Sequence, residues 1–142
     1  MAAAIKFQQH AENMAKGVID FTSSASSGVT VFLTNEANPP SASADAVLGD
    51  VTESNYSNLS TRVVAGVTAE HTTGTVDFTA TNLVLTASGT VAAFRYIGLY
   101  ADVPTSPADP LIEYWDYGSD LVLNNNDALT LNFTTGNFAV LS

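Results

Sequence analysis

The segment from Val91 to Gly118 limits what this chain can fold into more than any other. It opens with Val91-Ala92-Ala93-Phe94-Arg95-Tyr96-Ile97-Gly98-Leu99-Tyr100, a run of aromatic and branched residues. Alternate side chains of an extended chain point to opposite faces, so Ile97 and Leu99 share one face while Phe94, Tyr96 and Tyr100 share the other. Apolar groups on both faces predict a central strand covered on two sides rather than an edge strand facing water. Residues 102–110 then carry Pro104, Pro107 and Pro110, which interrupt any regular ladder. The chain resumes as Leu111-Ile112-Glu113-Tyr114-Trp115-Asp116-Tyr117-Gly118, a second aromatic strand expected to pair back on the first. Four of the five tyrosines and the single tryptophan lie in this segment, which is the expected core.

The flanking sequence reads as more strands. Val29, Val31 and Leu33 fall on one face of residues 29–34, a half-buried strand. Pro39-Pro40 marks a surface connection, and residues 45–50 predict one helical turn capped by Ser43 or Asp45. Residues 52–61 are polar and without pattern. Further strands are predicted over 62–67, 75–79 and 83–87, with His71-Thr72-Thr73-Gly74 as a turn. After the aromatic pair come 121–123, an Asn124-Asn125-Asn126-Asp127 hairpin loop, 129–133, a Thr135-Gly136 turn and 137–141. Thr22 to Gly28 reads as a small polar loop. Eight or nine strands at this spacing predict an antiparallel β-sandwich, jelly-roll-like or a related barrel, as one domain over residues 21–142.

Ahead of it, residues 3–19 carry the one helical pattern. Phe7, Ala11, Met14, Ala15 and Val18 recur at helical spacing, with Gln8, Gln9, Glu12, Asn13 and Lys16 on the polar side, and Gly17 is placed to end the helix. Lys6 and Lys16 balance Glu12 and Asp20, so residues 1–20 are neutral and residues 21–142 hold the whole net charge of −10. That split defines an N-terminal helix or arm, residues 1–20, different in kind from the rest. Its apolar stripe must be covered by its own sandwich, a sister subunit or another partner. Neutrality favours an intersubunit position, and Phe7 and Met14 are the candidate partner-binding residues.

Composition narrows the function. Four basic residues against 14 acidic ones repel phosphate backbones, which argues against direct nucleic-acid binding. Absence of cysteine removes disulfides, thiolate metal sites and thiol nucleophiles. No signal-peptide h-region opens the chain, and no apolar run is long enough to span a membrane, so a soluble protein made in the cytoplasm is expected. His10 and His71 are too few for a zinc site and read as surface residues. Asp102, Asp109, Glu113, Asp116, Asp120 and Asp127 offer a glycosidase pair or calcium oxygens only in principle, without a matching motif. A solvated acidic face is the simpler reading. Arg95 shares a face with Ile97 and Leu99, so it is expected to be partly buried beside a carboxylate. Neither a Gly-x-Ser-x-Gly elbow nor a phosphate loop occurs, and no cofactor is implied. The sequons at Asn55, Asn58 and Asn132 are what chance supplies in a chain this rich in Asn, Ser and Thr.

Three stretches resemble a group of small virion structural proteins of tailed bacteriophages. They are Lys6 to Val18; Val31-Phe32-Leu33-Thr34-Asn35 with Pro39-Pro40, Asp45 and Leu48-Gly49-Asp50-Val51-Thr52; and Phe94 to Tyr100 with Pro110 to Gly118. Residues 54–80 match nothing in that group. The resemblance implies a β-rich protein without enzymatic activity and with no catalytic residue to carry over. It implies a place in the virion, most simply as a capsid decoration or cement protein. Such a protein would be homo-oligomeric and bound to the major capsid protein or another virion protein. A tail or head–tail component is the alternative. From another class, a carbohydrate-binding adhesin module competes: exposed Trp115 and tyrosines would stack on sugars, whereas their burial favours a structural role. An enzyme would require a concave pocket with convergent acids.

Overall fold

A computed structural model of the chain describes residues 3–21, 28–133 and 138–141. In chain order its elements are β1 (Ile5–Lys6), α1 (Gln8–Ala15), β2 (Val29–Thr34), a 3-10 turn (Leu48–Asp50), β3 (Thr68–Thr72), β4 (Thr75–Thr79), β5 (Leu83–Thr86), β6 (Phe94–Ala101), β7 (Leu111–Leu121), β8 (Ala128–Leu131) and β9 (Phe138–Leu141). The protein is mainly β, its sheets are antiparallel, and the one α-helix among the described residues is N-terminal. The expected loop over 22–27 and the Thr135-Gly136 turn lie outside the described residues.

The aromatic pair forms as expected. β6 and β7 are antiparallel with Ile97 opposite Trp115 and Gly98 opposite Tyr114, inside a four-stranded sheet ordered β1-β7-β6-β2. Both faces of this sheet are covered. On one side Val31, Leu33, Ile97, Leu99, Ile112 and Trp115 enter the main core. On the other Phe32, Tyr100, Leu111 and Tyr114 form a second cluster around Phe7. Phe94 departs from the alternation. A register shift between Phe94 and Tyr96 turns its ring into the main core with Ile97, not onto the Tyr96 and Tyr100 face that the sequence predicts.

Opposite the large sheet lie a three-stranded sheet, β3-β4-β9, and a two-stranded one, β5-β8. Phe78, Ala80, Leu83, Leu85, Leu131 and Phe133 meet the large sheet's inner face, giving a sandwich-like arrangement. Among the described residues no sheet closes on itself, so the barrel alternative is not what forms. The Asn124–Asp127 tetrad is a tight turn, with the Asp127 amide bonded to the Asn124 carbonyl at 2.9 Å and Asn126 at φ +71°. It is not a hairpin loop, because β7 and β8 belong to different sheets. The expected separate strand over 121–123 does not form either: β7 runs on to Leu121.

Residues 54–64 do what the sequence does not announce. β2 is the outer strand of its sheet, and an open edge invites pairing with another chain. This segment covers it. Ser54 N–H donates to Leu33 O (2.7 Å), the Tyr56 hydroxyl accepts from Leu33 N–H (2.8 Å), Arg62 O accepts from Val31 N–H (2.9 Å) and Val64 N–H donates to Val29 O (2.8 Å). Arg62 Nη1 also donates to Val31 O. The strand predicted over 62–67 is therefore an irregular strap, and Gly66 at φ +64° bends it away. The strand that does form, β3, begins at Thr68 and turns into β4 through Thr73-Gly74 alone. Over 45–50 the helical turn is the 3-10 turn, and its cap is Asp50, whose carboxylate accepts from Ala46 N–H (2.9 Å) and Val47 N–H (3.1 Å).

Candidate functional site

The candidate site is the N-terminal arm and the surface that it meets. The helix is shorter than its pattern. Phe7 stays extended because its N–H donates to Ile112 O (3.1 Å), while Gln8 N–H donates to Ala42 O (2.9 Å). Gly17, at φ +69°, ends the helix as expected. Val18 N–H reaches Asn13 O (2.9 Å) and Gly17 N–H reaches Met14 O (3.1 Å), a Schellman closure.

Phe7 is 2% exposed and packs on Tyr114, with ring centroids 5.1 Å apart, and on Phe32. Its ring is thus covered by its own chain. Met14 keeps partial exposure and lines a cavity of about 430 Å³ with Ile19, Asp20, Phe21, Val76 and Phe78. Phe21 meets Phe78 edge-on at 4.9 Å at the cavity wall. This hollow lies between the end of the arm and the β3–β4 hairpin, and it is apolar apart from Asp20.

The arm buries only part of the face that its sequence predicts: Phe7 is buried and Met14 and Val18 pack on the core. Ala11 and Ala15 are exposed, whereas His10 (1% exposed) and Asn13 (6%) face the body. His10 is not a surface residue. Its ring lies 6.2 Å from that of Phe21, and among the described residues neither Nδ1 nor Nε2 has a hydrogen-bond partner; Asn13 Nδ2 has none there either. Burial, with a smaller contribution from the Lys6 charge, pushes the His10 pKa down from 6.5 to about 4. Sequence reading missed both residues because it sorted them by polarity. Their i, i+3 spacing, with Met14 beside them, was the available signal.

The remaining candidates are dispersed. Trp115 is 3% exposed and packs on Phe133 at 6.2 Å, and Tyr100 and Tyr114 are buried; Tyr117 is 49% exposed. Arg95 is partly buried, as expected, and holds Asp116 through two bonds, Nε at 2.7 Å and Nη2 at 2.9 Å, with Glu36 at 3.2 Å. The Arg95 guanidinium and the Gly118 N–H keep the Asp116 carboxyl below its ordinary pKa. Asp109 is raised by burial and by Asp102. Glu113 is buried on β7, opposite Lys6 of β1. Asp127 caps its own turn by accepting Asn124 N–H at 2.8 Å, and Asp120 accepts Glu36 N–H at 3.1 Å. His71 Nε2 accepts Gly74 N–H at 2.9 Å across the hairpin tip. Among the described residues no three His, Asp or Glu groups gather as a metal site, and no helix is long and apolar enough to cross a membrane. No protein-family model matches the chain, and no match was found among curated proteins or solved structures.

Proposed function

We propose that this protein is a non-enzymatic structural component of a tailed-bacteriophage virion, most simply a capsid decoration protein that binds the head shell in many copies and stabilises it. One observation carries the reading. Trp115, Tyr100 and Tyr114 lie inside the fold, where they serve packing, and of the hairpin's rings Tyr117 is the one well exposed, which favours a structural use over a sugar-stacking platform. The resemblance of the arm, the 31–52 segment and the aromatic hairpin to virion proteins supplies the context. Two further features suit a static assembly part: the strapped edge of β2, and acidic side chains held in local bonds. The arm's contact with a neighbouring chain is proposed at Met14, since Phe7 is already enclosed. The major capsid protein and further copies of this chain are the partners.

Particles assembled without the protein test the proposal. They are expected to form but to release DNA at lower temperature or lower salt than complete particles. Particles of unchanged stability that no longer attach to cells would replace this reading with a tail or adhesin role.

A further inference from the structure

We propose that α1 is a proton-released latch, docked on the sandwich while His10 is neutral and let go when its imidazole is protonated. The geometry carries the argument. A neutral imidazole has one donor and one acceptor nitrogen, and here both are buried without a partner among the described residues, as is the Asn13 Nδ2 donor. Burying unmatched polar groups opposes docking. What favours it is Phe7, the partly buried Met14, two backbone bonds at residues 7 and 8, and a β1 strand of two residues. Eight helical residues do not persist alone in water, so the helix exists only while it is docked.

A positive charge on His10 would face the Phe21 ring and the repulsive Lys6 of β1. The other charged groups on the elements packed here are Glu113, buried on β7 opposite Lys6, Asp20 beyond Gly17, and the Glu12–Lys16 pair on the exposed side of the helix. His10 is a base held down in the docked state, to about 4 from 6.5. Docking is therefore at full strength above pH 6.5, weakens as pH falls, and stops weakening below about 4. One pKa unit is a factor of ten, so the open-to-docked ratio rises about thirtyfold by pH 5 and roughly 300-fold at the acid limit.

Amide hydrogen exchange of the full chain between pH 7.5 and 4.5, corrected for intrinsic rates, tests the latch. Opening of residues 8–15 is expected to rise about thirtyfold by pH 5 while β6 and β7 amides keep their protection. His10→Phe should flatten the profile, and His10→Gln, which also cannot titrate, guards against a variant that fails to fold. Asn13→Leu should tighten docking at every pH and leave the slope intact. The latch is overturned by a flat wild-type profile. It is equally overturned by the same slope in His10→Phe and His10→Gln, which would assign the effect to Glu113 or Asp20, or by opening of α1 only together with β6 and β7.

Discussion

Gly98 on β6 and Phe32 on β2 stand in register, and a Cβ placed on Gly98 would lie 2.1 Å from the Phe32 Cζ. The Phe32 ring therefore lies across the glycine, where it meets Phe7. Gly98→Ala should destabilise the fold by on the order of 1–3 kcal/mol or more through overpacking. Phe32→Ala alone should lose about 3–5 kcal/mol by leaving a cavity. Denaturant unfolding of both single variants and the double tests the pair. The double should be far less destabilised than the sum, because each change accommodates the other. Additive losses would mean that the ring and the glycine are not coupled.

Tyr56 clamps the β2 edge. Its hydroxyl accepts from Leu33 N–H and donates to Glu53, while the Arg62 guanidinium lies 3.8 Å from its ring centroid. Burial, helped by Glu53, pushes its pKa upward, so the hydroxyl stays protonated at neutral pH. Tyr56→Phe leaves Leu33 N–H without its acceptor, and a loss of about 1–3 kcal/mol is expected in urea unfolding. Loosening the strap should also bare a strand edge. Concentration-dependent aggregation, followed by light scattering, is expected to be greater in Tyr56→Phe than in wild type in the same buffer.

The aromatic hairpin was legible because its apolar groups occupy both faces of a strand, and only a doubly covered position satisfies that pattern. The bulge beside Phe94 was not, since nothing in Phe94-Arg95-Tyr96 distinguishes strict alternation from a slipped register. β3 was invisible for a different reason: in Thr68-Ala69-Glu70-His71-Thr72 Ala69 packs on the main core while His71, on the same face, is exposed, too weak an apolar signal to mark a strand. The strap over β2 works through backbone groups and two long side chains, none of which follows a period. On the arm the misreading came from residue type, because burial of His10 and Asn13 is decided by how Phe7 and Gly17 aim the helix.

The β3–β4 tip is a two-residue turn in which both Thr73, at φ +48°, and Gly74, at φ +83°, are left-handed. Such turns favour Asn-Gly, whereas a β-branched residue is strained at positive φ. Thr73→Asn is expected to raise stability by about 0.5–1.5 kcal/mol, and Thr73→Val to give no gain. Thermal unfolding of the two variants beside wild type decides it. Equal melting temperatures for Asn and Val would show that the turn carries no such strain.

The Arg95–Asp116 pair sets an acid limit on the β6–β7 end of the large sheet. Asp116 is held below its ordinary pKa chiefly by the Arg95 bonds, with Gly118 N–H adding to the effect. A carboxylate lowered in the folded state contributes stability above its unfolded pKa, near 3.9. That contribution disappears as pH falls through the lower, folded value. In Arg95→Met the Asp116 carboxyl carbon, followed by NMR, should titrate closer to the ordinary range. The stability-versus-pH curve of that variant should lose part of its slope below about pH 4, while at neutral pH the loss stays small because the pair is partly open to water. An unchanged Asp116 titration in Arg95→Met would show that Gly118, not the guanidinium, holds the proton off.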